Sequence, residues 1–306
     1  MNELFVVFSS SLIALILCIV VGYICRRRQM FNDTHTSGIA ELLVKVAMPC
    51  SVFMSLMRPF TMELFWESIA TFFIAGAVYL AGGLVGYILG RVFKTDLKAR
   101  QVWIFGVGFG NVGFMGLPVI QAVFGVEGLF YVAMALASFN LLNFTWGIWL
   151  FDKSQVTGLV RAIIRNPALL ATCVGFVFFL TGLRLPQAIE GGVSLIAGMT
   201  SPISMILIGA ILAKQRLKDA LVDIKILPPV AAKLIAMPIL TWLSLRWVVP
   251  NPLMLGVIVT LMAMPTAATT AIFAEQFKGD SAMAAKLVVV STILCVVTVP
   301  LISLLL

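Results

Sequence analysis

The chain has 306 residues, of which 61% are hydrophobic and 11% are charged, and its mean hydropathy is +1.09. Soluble domains carry about 25% charged residues, so this composition excludes a soluble globular protein and indicates a polytopic membrane protein. The net charge of +8 comes from basic residues beside apolar segments, and no basic run is long enough to indicate a nucleic-acid partner.

Ten apolar runs follow one another along the chain, and each has the length of about 20 residues that a membrane-spanning helix needs. The connections between them are short, so no additional domain is expected. The predicted fold is an all-α bundle of ten transmembrane helices. The predicted spans are residues 4–25, 36–57, 66–90, 101–124, 128–151, 166–183, 187–212, 226–248, 253–275 and 282–305.

Basic residues predict the orientation, because cytoplasmic connections are rich in Lys and Arg. Fifteen lie in one set of alternate connections and three in the other. The bias places both termini outside the plasma membrane. The first basic group follows the first apolar run, whereas the basic group of a secretory signal precedes its apolar run, so this run is expected to be a true span. The larger set is Arg26, Arg27, Arg28, Arg91, Lys94, Lys98, Arg100, Lys153, Arg161, Arg165, Lys214, Arg216, Lys218, Lys225 and Lys278, and the smaller is Arg58, Arg184 and Arg246.

Reactive residues are sparse. The five cysteines lie within or at the ends of apolar runs without metal-type spacing, and the single histidine, His35, lies in a connection. All six aspartates fall in connections or at helix ends, which argues against a cation/proton antiporter and an intramembrane protease. We therefore expect neither an enzyme nor a metal or cofactor site.

The fourth span contains a glycine-rich stretch that ends at Pro118, and its one polar side chain is Asn111. Unpaired backbone groups are costly in hydrocarbon, so a broken span survives only when it is buried in protein or lines a cavity. Pro265 in the ninth span lies 147 residues after Pro118, and Pro202 in the seventh lies 153 residues after Pro49 in the second. Matching prolines predict two inverted five-helix repeats with a site near the membrane centre. The predicted units are residues 1–151, a cytoplasmic linker 152–165, and 166–306.

If the fourth and ninth spans each break at their prolines, two helix N-termini meet, and their partial positive charges suit a carboxylate. The alternative is two kinks in ordinary packed helices. Polar groups near these breaks could bind substrate, although Asn can also bond between helices and Thr can bond its own backbone. The candidate substrate-binding residues are Asn111, Gly116, Pro118, Pro265, Thr266, Thr269, Thr270, Ser51, Ser204 and Asn140.

Three charged residues within the spans are candidates for coupling to H⁺ or Na⁺. Lys233 lies about 12 Å from the cytoplasmic face at 1.5 Å per residue, where it either attracts an anion or extends back to the interface. Glu41 and Lys45 are four residues apart, a spacing that also suits an internal ion pair. Symport with either ion and uncoupled transport therefore remain open.

Four motifs in order cover essentially the whole chain: Asn111-x4-Gly116-x-Pro118, Arg165-Asn166-Pro167, the seventh-span segment from Gly198 to Ala213, and Met264-Pro265 followed by Phe273 to Phe277. On these motifs the sequence resembles the auxin efflux carrier family, which includes plant auxin carriers and bacterial carriers of small organic acids.

The resemblance implies crossed, broken fourth and ninth helices, a scaffold of the first, second, sixth and seventh helices, and a homodimer in the lipid bilayer. It implies transport of small organic anions such as malate or malonate, and the short linker 152–165 favours a bacterial-type permease. Thr269 stands where the bacterial pattern has asparagine. The alternatives are a sodium-coupled carrier of larger amphipathic acids, auxin- or bile-acid-like, and a channel or membrane ligand sensor.

Overall fold

The computed structural model describes residues 3–152, 165–214 and 223–306, with side chains from Ser10 onward. These ranges are helical apart from short connections, and they contain no β-strand beyond one isolated bridge between Gly110 and Thr266. The all-α prediction is therefore confirmed for the described part of the chain.

We number the helices in chain order and treat segments joined by a π-turn or a bend as one helix. They are α1 (Glu3–Arg27), α2 (Asp33–Leu56), α3 (Met62–Val92), α4 (Leu97–Gly108), α5 (Val112–Phe151), α6 (Pro167–Thr181), α7 (Gln187–Lys214), α8 (Ile224–Leu245), α9 (Pro252–Ala263), α10 (Thr269–Gln276) and α11 (Ser281–Ser303).

Seven of these helices are long and apolar enough to cross a membrane, while α6 and α9 are apolar but shorter. Their correspondence with the ten predicted spans is incomplete. The fourth span is divided between α4 and α5, and α5 also contains the fifth span beyond a bend at Gly125, where φ is +65°. The ninth span is divided between α9 and α10. The arrangement of ten helices in two inverted halves therefore stays a prediction.

Three prolines inside long helices follow π-turns. Pro49, Pro118 and Pro238 each stand two residues after a five-residue π-turn. In an α-helix the proline ring clashes with the carbonyl four residues earlier, and the wider π-turn relieves that clash. Pro118 consequently lies inside the part of α5 before Gly125, so the fourth span is broken as expected but not at its proline. The chain breaks earlier, at residues 109–111.

Two sets of helices pack together. Glycines bring α1 and α7 into backbone contact: a methyl group at Gly22 would lie 1.9 Å from the Ile206 carbonyl oxygen, and one at Gly209 would lie 1.9 Å from that of Ile19. Helix α2 packs mainly on α6 and α7, which completes a first set of α1, α2, α6 and α7. The remaining helices, α3 to α5 and α8 to α11, pack on one another and form a second set.

Candidate functional site

Two unwound stretches cross within the second set. Residues 109–111 separate α4 from α5, and residues 264–268 separate α9 from α10. The stretches run antiparallel and satisfy each other's backbone groups, which an apolar interior requires. Two hydrogen bonds join them, from Asn111 N to Pro265 O (2.7 Å) and from Ala267 N to Phe109 O (3.0 Å).

Side-chain hydrogen bonds hold the crossing in place. The Thr266 hydroxyl donates to Gly106 O at 3.0 Å, and Thr266 N donates to Ser291 Oγ at 3.1 Å. Thr266 is completely buried. Its polar groups therefore secure the stretch 264–268 to the last turn of α4 and to α11.

A cavity of about 170 Å³ lies beside the crossing, between the first and second helix sets. Its lining residues are Val44, Met48, Asn111, Val112, Gly113, Phe114, Leu136, Phe139, Asn140, Asn143, Phe144, Asn166, Ala168, Ala267, Ala268 and Thr269.

Three helices begin at this cavity. Asn111 precedes α5 and its Oδ1 accepts from Phe114 N at 3.2 Å, while Asn166 precedes α6 and its Oδ1 accepts from Leu169 N at 2.9 Å. The third helix, α10, begins at Thr269. A helix N-terminus carries about half a positive charge, so the three together favour an anion.

Several polar atoms at the cavity have no hydrogen-bond partner in the described structure. They are Asn140 Nδ2, Asn143 Oδ1 and Thr269 Oγ1. The other amide atom of Asn140, Oδ1, accepts from Asn166 Nδ2 at 3.3 Å. Buried polar groups are normally paired, so these free groups are suited to hydrogen-bonding a small polar ligand.

None of the described residues that line the cavity carries a charge. A carboxylate here would be held by amide N–H groups, a threonine hydroxyl and helix N-termini. Its hydrocarbon part would contact the rings of Phe114, Phe139 and Phe144. The arrangement is suited to binding and release.

The predicted site residues divide into three groups. Asn111, Asn140 and Thr269 come together at the cavity, and Pro265 and Thr266 lie at the crossing. The others line neither: Pro118 lies within α5, Gly116 packs on Leu261, Thr270 and Ser51 are buried, and Ser204 Oγ donates to Ser201 O at 3.0 Å.

The coupling candidates also lie outside the cavity lining. Glu41 and Lys45 form an ion pair with each other, and their side chains are 60% and 62% exposed. Lys233 is completely buried beside the crossing, and its ammonium group has no partner among the described residues. In the same part of the chain, no group of three or more His, Cys, Asp or Glu residues could hold a metal ion.

The sequence-based set omitted two cavity amides, Asn143 and Asn166. The sequence does predict a helix N-cap at Asn166, because asparagine directly before proline at the start of an apolar run is typical of that position. The lack of a partner for Asn143 becomes visible only when α5 is placed against its neighbours.

The sequence matches known membrane proteins. The profile of a family described as Membrane transport protein matches residues 7–161 and 156–303. An "Uncharacterized transporter" of Methanothermobacter thermautotrophicus and the "Uncharacterized transporter YfdV" of Escherichia coli are each 24% identical, over 96% of both chains. A "Putative malonate transporter" of Rhizobium meliloti is 24% identical over 92% of this chain and 90% of that protein.

Proposed function

Because the chain belongs to the membrane transport protein family, and this confirms its resemblance to the auxin efflux carriers, we propose that it is a secondary transporter of small organic anions. Dicarboxylates are the preferred substrates, and alternating access carries them across the plasma membrane. The family and the names of its relatives indicate a membrane transporter rather than an enzyme.

The observation that carries this proposal is the cavity where α5, α6 and α10 begin. Three helices begin at residues that line this space, three lining residues carry unpaired polar atoms, and none of the described lining residues is charged. A volume of about 170 Å³ suits a small organic acid better than an amphipathic acid as large as a bile acid. The malonate name of one relative agrees with this size class.

The proposed architecture is that of ten helices in two inverted repeats, residues 1–151 and 166–306, joined by the linker 152–165. Both termini face outward, and two copies form a homodimer. The bias of basic residues and the antiparallel crossing of the two unwound stretches support this arrangement.

Alternating access requires two bodies that move relative to each other around one site. The cavity is lined from the first set by Val44 and Met48 of α2 and by Ala168 of α6. Its opposite wall is the crossing of the second set. We place the movement between these two sets, so that the second set carries the anion.

Uptake of labelled malonate and malate into proteoliposomes tests the proposal. We expect saturable flux, and we expect Asn111→Ala to lower it several-fold because the variant removes both a cavity amide and the N-cap of α5. Full transport by Asn111→Ala in correctly inserted protein would exclude this residue from the site. Collapsing the pH and sodium gradients separately distinguishes H⁺ symport, Na⁺ symport and uncoupled transport.

A further inference from the structure

Lys233 is a buried lysine without an anionic partner among the described residues. It lies in the π-turn Ala232–Ala236 of α8, none of its surface is exposed, and its Nζ has no hydrogen-bond partner in the described ranges. By contrast, Lys45 and Lys286 form ion pairs. Burying an uncompensated ammonium group is costly, so a protonated Lys233 needs something other than a carboxylate to offset its charge.

The ends of two helices lie near Lys233. A methyl group added at Gly110 would lie 3.1 Å from Lys233 Nζ and 3.0 Å from the carbonyl oxygen of Leu261, so both atoms face Gly110. At this point α4 ends at Gly108 and α9 ends at Ala263. A helix C-terminus carries about half a negative charge, and the two ends together can balance one ammonium.

We propose that Lys233 is protonated, that it neutralises the C-terminal ends of α4 and α9, and that it adds positive potential to the anion site across the crossing backbone. This inference rests on the proposed function and deepens it, because it assigns the substrate charge. Lys233 acts as a positioning and charge-selecting residue that favours dianions over monoanions.

Charge selection follows from Coulomb's law. Attraction by a fixed cation scales with the ligand charge, whereas hydrogen bonds to amides depend mainly on the ligand's shape. With an effective dielectric constant of about 20 and a separation on the order of 10 Å, each ligand charge changes the affinity about tenfold. A dianion therefore loses about twice as much binding free energy as a monoanion when Lys233 becomes neutral.

The test compares malonate with its monomethyl ester, a monoanion of similar size, by calorimetric titration of purified protein in nanodiscs. Lys233→Met keeps the chain length and removes the charge. We expect about a hundredfold loss of affinity for malonate and about a tenfold loss for the ester. The control Lys98→Met removes the same charge from an exposed position in the first turn of α4 and should change neither value.

Equal losses for both ligands would show a purely structural role, and unchanged affinities would show that Lys233 contributes no charge; either result overturns the inference. A wild-type protein that binds neither ligand would overturn the proposed function as well. Lys233→Gln is measured in parallel, with the unfolding temperature of each variant, and supplies the same comparison if the methionine variant does not fold.

Discussion

At the scale of single residues, neutral polar side chains define the cavity. Asn140 and Thr269 have unpaired atoms there, and Asn111 and Asn166 each cap a helix. A neutral hydrogen bond contributes about 1 kcal/mol, less than a bond to a charged partner. Such a site can hold an anion and still release it, as transport requires.

Asn140 tests this account of the anion site. Replacing it with Ala removes one donor and should weaken malonate binding about tenfold. Asn140→Asp keeps the shape but places a negative charge beside the anion, so the loss should exceed a hundredfold, since like charges in close contact cost several kcal/mol. Calorimetric titration measures both variants.

The matched control is Asn32→Asp, which adds the same charge at the exposed N-cap of α2, where Asp and Asn cap equally well. It should bind malonate like the wild type. Wild-type affinity in Asn140→Asp would show that the anion binds elsewhere.

At the scale of elements, the crossing separates two helix N-termini, which carry partial positive charge, from two helix C-termini, which carry partial negative charge. The starts of α5 and α10 face the cavity, and the ends of α4 and α9 meet near Lys233. The glycine at position 110 permits this arrangement, because the Leu261 carbonyl oxygen and the Lys233 amino group both lie close to the position that a Cβ atom would occupy.

Gly110→Ala should therefore disrupt the crossing. The added methyl group must displace a backbone carbonyl and a buried lysine, and overpacking of this kind costs about 1–3 kcal/mol. We expect a lower unfolding temperature and reduced malonate uptake. The matched control is Gly191→Ala in α7, where the methyl group meets nothing within 4 Å. Equal stability of the two variants would contradict the close approach at Gly110.

An ion pair links the start of α8 to α11 and should make stability depend on pH. Lys286 Nζ donates to Asp223 Oδ2 at 2.7 Å, and this hydrogen bond holds the pKa of Asp223 below its ordinary value of 3.8. A lowered folded-state pKa contributes stability above the unfolded value, and that stability is lost as the pH falls through the folded value.

Asp223→Asn should accordingly lower the stability at pH 7, by at most about 1 kcal/mol because the pair is partly exposed. The difference from the wild type should shrink as the pH falls below 3.8. Unfolding temperatures of both proteins, measured between pH 7 and acidic pH, test this expectation. A difference between them that grows on acidification would contradict it.

Local signals and long-range packing explain which elements could be predicted. Pro265 interrupts the ninth span as expected, because the effect of proline on a helix is local. Pro118 does not interrupt its helix, because the preceding π-turn accommodates it and sequence periodicity does not reveal that turn. Asn166 is far from Asn111 in sequence, so only tertiary packing shows that both line one cavity.

At the scale of the whole molecule, the cavity lies between two packed sets of helices. If the site is carried by the second set, a bound anion should shield the wall formed by residues 267–269. Ala268 lines that wall and is small enough to exchange for cysteine.

Ala268→Cys, in a variant whose five native cysteines are replaced, should therefore react several-fold more slowly with a small maleimide when malonate is present. The control His35→Cys lies at an exposed position of α2 and should react at an unchanged rate. Equal protection of both positions, or of neither, would contradict binding in the cavity.

Counterflow of labelled malonate in proteoliposomes tests the central claim most directly. Vesicles loaded with unlabelled malonate should transiently accumulate the label above its outside concentration. Asn140→Asp should abolish this accumulation and Asn32→Asp should leave it intact. A carrier with one site exposed alternately to each side must behave in this way. Label that only equilibrates, together with a large conductance in a planar bilayer, would show a channel and contradict the account.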